Sequence, residues 1–321
     1  MNIINGVETY DIGNVSGGIQ SSTMVHAIEN GDLPRPDAFI FADTGWERET
    51  TYQTIEGLKD VAQGLNIPFH TCSNGNIRVQ ALESGKTDSD YGDWRDEEGY
   101  GFLKMPVYTI DQRGNRPKMS NKQCTTDFKI RPIRKFLREH YGEDARFNQW
   151  IGISLDEAHR MRSSDVKYVT MCYPLVTTLK WTRGHCIEYL KRHGIEVPSK
   201  SACIGCPLHS DENWHQLTDK EKADAIDFDE SIRHLQSHVD ALPKPKKIPL
   251  GQLTLIDMDE VDEFVAKYPL ERRQDVELFA HSSAFPLKRI LSGEIDPAEM
   301  YVQEEFIDLE DAQGCGGMCF L

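Results

Sequence analysis

Asn14-Val15-Ser16-Gly17-Gly18-Ile19-Gln20-Ser21-Ser22 decides how the rest of this 321-residue chain is read. An apolar-leaning run (Tyr10, Ile12, Val15) leads into it, and a helix-period run (Met24, Val25, Ile28) leaves it and stops at Gly31. Strand, Gly-Gly turn and helix in succession gather backbone N–H groups at a helix N-terminus and so make an anion site. Gly17 and Gly18 permit positive φ and let a ligand approach the backbone closely, while Ser16, Ser21 and Ser22 add hydroxyl donors. A capped helix after a tight turn would carry the same residues, so the turn alone does not separate phosphate binding from plain architecture. A Walker A reading fails, because no Lys-Ser/Thr follows at the required spacing.

The length suits one large α/β domain, alone or with a helical appendage. With 39% hydrophobic and 27% charged residues the chain reads as well solvated, and no run reaches the apolar length of a membrane-spanning helix. The N-terminus Met1-Asn2-Ile3-Ile4-Asn5-Gly6 lacks the basic and apolar regions of a signal peptide, so a cytoplasmic protein is expected. A net charge of −16 argues against a general nucleic-acid surface and leaves a nucleic-acid acceptor disfavoured. One local basic cluster exists, Arg131, Arg134, Lys135 and Arg138, for which a solvated helix face serves equally well. Eight cysteines in a cytosolic chain point to metal or redox chemistry rather than to a disulfide framework.

Outward from the loop, Ala38-Phe39-Ile40-Phe41-Ala42 has the pattern of a buried parallel strand. It ends in Asp43-Thr44-Gly45, where open α/β sheets place ligands; an Asp N-cap beside a turn glycine is the competing reading. A helical pattern follows (Thr51, Ile55, Leu58, Val61, Leu65), then a strand over Ile67–Thr71 and a short helix over Ile77–Leu82. Residues 86–121 are polar, aromatic and Gly-rich, and are read as a substrate lid inserted in the domain. A basic helix ends near His140, Trp150–Ile153 reads as a strand, and Thr182 as the N-cap of a helix ending at Gly194. From Ser210 to about Leu242 the pattern is helical and acidic, Lys244–Pro249 is a linker, and 250–311 read as small carboxylate-rich helices.

Ala202-Cys203-Ile204-Gly205-Cys206-Pro207-Leu208-His209 is the clearest metal signal, since two thiolates at this spacing can hold one metal or cluster edge. A pair of packed loop cysteines is the alternative. A closed site needs further donors, for which Cys124, His209, Cys172 or Cys186 could serve. The Gly-rich end, Asp311 to Leu321, carries Cys315 and Cys319 and suits a flexible tail: a mobile nucleophile, a resolving pair, a further ligand, or a frayed terminus with incidental cysteines.

The opening stretch resembles the pyrophosphate loop (PP-loop) of adenine nucleotide α-hydrolase-like enzymes, Ser-Gly-Gly-x-Asp-Ser, with Gln20 where most ATP-splitting members have Asp. Gly18-Ile19-Gln20, and Asp43-Thr44-Gly45 followed by Glu47 to Tyr52, are similar to the phosphoadenosine phosphosulfate (PAPS) reductase branch. Ser154 to Arg162 resembles that branch's arginine-bearing segment, with Arg160 and Arg162 matching best and Ser154 or Leu155 at the early arginine. Val169 to Leu175 resembles its Tyr-Pro-Leu strand. The resemblance implies a doubly wound, mostly parallel α/β sheet (a HUP/Rossmann-like PP-loop fold) over 1–210, with a helical C-terminal extension over 211–311 and a Cys/Gly tail over 312–321.

It also implies a nucleotide, ATP or PAPS, held by Ser16 to Ser22, by Asp43, Thr44 and Gly45, and by Arg160 and Arg162, with Mg a further candidate. Cys124 ahead of Lys129-Ile130-Arg131-Pro132, together with Cys203 and Cys206, looks like the ligand set of a four-iron cluster, preferred over zinc. The fourth ligand is left open among His209, Cys315 and Cys319. Two enzyme readings diverge from there. ATP could adenylate an acceptor and release pyrophosphate before sulfur is delivered by a sulfur donor. Alternatively Cys315 or Cys319 could attack a phosphosulfate, with a thioredoxin-like reductant releasing sulfite. The third reading is a nucleotide-sensing module stapled by a metal. The preferred expectation is ATP-dependent sulfur transfer.

Overall fold

The computed structural model describes residues 2–4, 6–83, 105–109, 118–119, 123–233 and 277–297. Most of the expected lid (86–121), the linker at 244–249, the helices expected over 250–276 and the tail with Cys315 and Cys319 lie outside the described residues. In chain order the elements are β1 (Asn2–Ile4), β2 (Val7–Val15), α1 (Ile19–Glu29), β3 (Ala38–Asp43), α2 (Glu49–Gly64), β4 (Phe69–Ser73) and α3 (Ile77–Leu82). Then come β5 (Tyr108–Thr109), β6 (Lys118–Met119), a π-helical turn (Thr126–Ile130), α4 (Arg131–Tyr141), β7 (Arg146–Trp150) and a 3-10 turn (Leu155–Arg160). The remainder are β8 (Val169–Cys172), α5 (Pro174–Thr177), α6 (Arg183–Arg192), α7 (Asp211–His215), α8 (Asp219–Ile232), β9 (Leu278–Phe279) and α9 (Leu287–Leu291).

Two compact units divide the chain. The first, built on Met1–Ile77 and Cys124–Glu221, holds a parallel sheet in the order β4-β3-β2-β7-β8, with β1 antiparallel on β2. Alternation along the strands divides its core into two layers. Val15, Phe39 and Phe41 pack against Met24, Val25 and Ile28 of α1 and Ile55, Leu58 and Ala62 of α2. Ile12, Ile40, Ala42, Phe147 and Val169 face Ile133 and Leu137 of α4 on the other side. The sheet is therefore doubly wound, as expected. From β2 the chain steps one way through β3 to β4 and later the other way through β7 to β8, so the strand order reverses between β2 and β7. Such a switch point, at the carboxyl ends of the strands, is where sheets of this kind bind ligands.

Two strands end earlier than the sequence suggests. β7 stops at Trp150: Ile151 N still donates to Cys172 O (2.8 Å), but the chain then turns to pass the start of α1. The Tyr-Pro-Leu segment is not strand throughout. β8 ends at Cys172 and Pro174 opens the short α5, because proline offers no N–H to a strand ladder and its fixed φ suits a first helical turn. Thr182 caps α6 as read, accepting from His185 N, and Gly194 follows with φ 70°. The arginines of α4 are paired: Arg131 with Asp127 (2.6 Å), Arg134 with Asp165, and Arg138 with Glu143 (3.3 Å). That is the solvated helix face.

The second unit, on Arg78–Gln123 and Lys222–Glu304, holds a small antiparallel sheet, β6-β5-β9. Its anchor is Asp229, fully buried, which accepts from Ala280 N (2.8 Å) and Leu287 N (3.0 Å) and pairs with Arg233. Arg233 in turn lies over the Phe279 ring, 4.0 Å from its centroid.

Candidate functional site: the loop between β2 and α1 and the adjoining cysteines

Local chemistry shapes the loop. Gly17 takes φ 74°, a conformation that strains any L side chain, and a Cβ there would sit tightly, 3.1 Å from Thr51 Cγ2. Ser21 Oγ donates to Gly18 O (3.1 Å), accepts from Ser16 N (3.2 Å) and meets Ser16 Oγ at 3.2 Å. Ser16 and Ser21 thus knit the loop itself, and Ile19 packs into the apolar cluster of Leu175, Cys186 and Leu190. Gly18 is the N-cap of α1 and has no side chain with which to satisfy the helix's first N–H groups. Around it polar capacity is left over. Both side-chain amide atoms of Asn14 and the hydroxyls of Ser22 and Thr51 are buried with no partner among the described residues, an arrangement that calls for a ligand or water.

Gly152 supports this turn from behind. A Cβ on it would fall 2.8 Å from Ser21 N and 3.1 Å from both Gln20 C and Ser21 Cα. The chain leaving β7 therefore braces the first turn of α1 backbone to backbone. In front, Ser199 to Ser201 crosses the loop: Ser199 Oγ meets Thr50 Oγ1 at 3.0 Å, and Ser201 Oγ donates to Ser16 Oγ at 3.5 Å.

Gln20 is buried within a charged network. Its Nε2 donates to Glu157 Oε2 (2.9 Å), and its Oε1 accepts from Arg183 Nη1 (3.1 Å). Glu157 also receives Arg160 Nη1 at 2.6 Å. Lys200 belongs to the same cluster. Burial lowers its pKa; Cys206 opposes that, and the nearby Arg183 and Arg160 add to it. Its Nζ donates to Leu208 O at 3.2 Å. The structure thus brings Arg160 to the loop with Arg183 and Lys200, which the sequence reading did not single out; no local spacing signals them. Arg162 goes elsewhere, its Nη1 donating to His159 O and Met161 O (2.8 and 2.9 Å) in an exposed position.

Asp43 lies at the carboxyl end of β3, where Oδ1 accepts from Gly45 N (2.8 Å) and Tyr52 Oη (2.9 Å). It closes an Asx turn and does not cap α2, whose N-cap is Arg48. Thr44 faces the cysteines: its Oγ1 donates to Glu47 Oε1 (3.0 Å) and meets Cys203 Sγ at 3.3 Å.

Cys203 is pinned beside Glu47 by a short antiparallel bridge, with Ile204 N donating to Trp46 O at 2.9 Å. Successive turns follow, Cys206 N to Cys203 O and His209 N to Cys206 O, both 3.1 Å, and His209 Nε2 reaches Cys203 O at 3.0 Å. Lys129, carried on the π-helical turn after Cys124, is the electrostatic centre. Burial alone would favour its neutral amine, but Glu47, Cys203, Cys124 and Cys206 outweigh burial and raise its pKa. Burial and Glu47 push the Cys203 thiol well up, so it is protonated at neutral pH. Cys124, Cys203 and Cys206 therefore share the surroundings of one ammonium. Among the described residues, however, no three His, Cys, Asp or Glu side chains gather closely enough to hold a metal ion.

No helix among the described residues is long and apolar enough to cross a membrane. No curated protein matches the chain by sequence. Among solved structures it is similar to a PAPS reductase from Candida auris in a phosphate complex, at 12% identity and TM-score 0.34 over 59% of this chain and 75% of that one. It is also similar to a U34-tRNA thiolase from Methanococcus maripaludis with its 4Fe–4S cluster, at 11% identity and TM-score 0.33 over 98% of this chain and 77% of that one. The sequence profile of the phosphoadenosine phosphosulfate reductase domain matches residues 12–199, which include the loop between β2 and α1 and end just ahead of Cys203; this chain belongs to that family.

Proposed function

We propose that this chain is an enzyme that binds an adenine nucleotide by its anionic tail at Ser16 to Ser22 and uses it for sulfur chemistry. The preferred reaction is ATP-dependent adenylation followed by sulfur transfer. One observation carries the reading: the loop lies at the switch point of the sheet, with the cations Lys200, Arg160 and Arg183 clustered about Gln20. An acceptor oxygen would attack the α-phosphorus and pyrophosphate would leave; a sulfur nucleophile would then displace AMP. The N–H groups opening α1 and the ammonium of Lys200 suit the charge that collects on the departing pyrophosphate. Asp43, fixed by Tyr52 and Gly45, stands at the neighbouring strand end, toward which the nucleoside would extend. The Cys124, Cys203 and Cys206 thiols are the donors an iron–sulfur cluster or zinc ion would need.

A second reading, reduction of PAPS to sulfite with a tail cysteine as nucleophile and a thioredoxin-like reductant, is favoured by Gln20. That side chain is a neutral amide engaged at both ends and offers no carboxylate for a magnesium ion. Purified full-length protein, given ATP or PAPS in turn, separates the two by assay of pyrophosphate and sulfite. Pyrophosphate from ATP, dependent on an acceptor and sulfur donor, is the expected result. Sulfite from PAPS without ATP would reverse the preference, and saturable ATP binding with no turnover of either nucleotide would leave a sensing module.

A further inference from the structure

We propose that Ser199-Lys200-Ser201 is a strap closed over the loop between β2 and α1, and that it must lift before an anionic tail reaches that loop. The inference rests on the reading of Ser16 to Ser22 as the seat of such a tail, and concerns how the seat is reached. Every residue from Ser16 to Ser22 is buried, so the backbone N–H groups that would hold phosphate are not open to solvent. Behind them Gly152 presses backbone to backbone. In front stands the strap. Ser201 Oγ lies 3.0 Å from the place a Cβ on Gly18 would occupy, and donates to Ser16 Oγ at 3.5 Å. Ser199 Oγ meets Thr50 Oγ1, in the first turn of α2, at 3.0 Å. Hydroxyls of the chain itself thus close the front of the glycine turn.

The strap is free to move where the other walls are not. Residues 195–202 carry no helix or strand between α6, closed at Gly194 (φ 70°), and the bridge of Cys203 to Glu47. Upstream, Ile195 and Val197 pack against the apolar cluster of Leu175, Cys186 and Leu190. Downstream, the Glu47 bridge and Ile204 N on Trp46 O fix the chain again. Between these anchors, the strap's hydrogen bonds to Ser16 and to Thr50 are hydroxyl pairs, neutral on both sides. Charge-assisted bonds from an anionic phosphate are roughly twice as strong as neutral ones, so a phosphate displaces such pairs. Lys200 Nζ donates to Leu208 O at 3.2 Å, and a phosphate oxygen is likewise the better acceptor for an ammonium. Entry of the tail therefore exchanges two hydroxyl contacts and one carbonyl contact for contacts to phosphate, and occupancy of the loop sets the position of the strap.

The test pins the strap shut in the full chain with the pair Thr50→Cys and Ser199→Cys, because side chains whose oxygens meet at 3.0 Å are placed to form a disulfide. Peptide mapping confirms the link. Inorganic pyrophosphate, ATP and PAPS are titrated by calorimetry into the oxidised and the reduced form of this protein, with wild type taken through the same cycle. Binding at least about tenfold weaker in the oxidised form, restored by reduction, is the expected result; equal affinity in both forms would overturn the proposal. The variant Ser199→Ala, Ser201→Ala checks it without a new covalent bond. Its association rate, followed by stopped flow, should rise several-fold, and an unchanged or slower rate counts against a strap that gates entry. Binding that ignores the strap sinks this proposal alone, whereas no binding of any probe to wild type or to either variant sinks the reading of the loop and the strap with it.

Discussion

Replacing Gly152 by alanine tests the site where its support is tightest. Gly152 does not occupy the positive-φ region, so alanine meets no backbone penalty and the whole effect is steric. The new Cβ would stand 2.8 Å from Ser21 N, and ordinary contact begins near 3.4 Å, so the first turn of α1 must retreat by about 0.6 Å. All three close atoms belong to the backbone of Gln20 and Ser21, which cannot rotate away as a side-chain tip would. Overpacking of this kind costs about 1–3 kcal/mol of stability, and a displacement of that size exceeds the roughly 0.5 Å tolerance of a preorganised site. We expect nucleotide affinity to fall about tenfold, near 1.4 kcal/mol, with Tm lower by a few degrees. Calorimetric titration with ATP and with PAPS, beside thermal unfolding, provides both readings. Gly57→Ala is the control: a Cβ there meets nothing within 4 Å inside α2, and the exchange should stabilise by about 0.5–1 kcal/mol without touching affinity. A Gly152→Ala protein that binds nucleotide like wild type would refute the claim that this backbone contact shapes the loop.

Other substitutions probe separate parts of the molecule. Lys200→Gln should weaken ATP binding by about 10- to 100-fold, the loss of one charge-assisted contact, and leave adenosine binding nearly unchanged; equal losses for both ligands would place Lys200 away from the phosphates. Asp229→Ala leaves Arg233 and two backbone N–H groups of the second unit without their acceptor. It should destabilise by about 3–5 kcal/mol, and an unaltered unfolding curve would contradict that role. His70 is held below its ordinary pKa of 6.5 first by burial and then by His140. The unfolded chain therefore takes up a proton there before the folded chain does. The stabilisation is complete above pH 6.5 and is lost as pH falls below it, so His70→Phe should flatten the acid side of the stability–pH profile measured by denaturant titration.

Sequence by itself determined the features that depend on neighbours along the chain. Ser16-Gly17-Gly18 demands a tight turn, the apolar period from Met24 to Ile28 demands a helix, Ala38 to Ala42 demands a buried strand, and Thr182 ahead of a run that closes at Gly194 marks a helix start. The α/β class was legible in the alternation of short apolar runs and amphipathic helices, and the doubly wound arrangement in the resemblance carried by Ser16 to Ser22 and Asp43-Thr44-Gly45. Tertiary structure decided everything that depends on distant segments meeting. Thr44 faces Cys203 across 159 residues of chain, Gly152 braces the backbone of Ser21, and Lys200 joins Arg160 and Arg183 beside Gln20. Local signals repeat at fixed spacings that a single chain displays, whereas these contacts exist only after the sheet sets its strand order and brings their loops to the same edge.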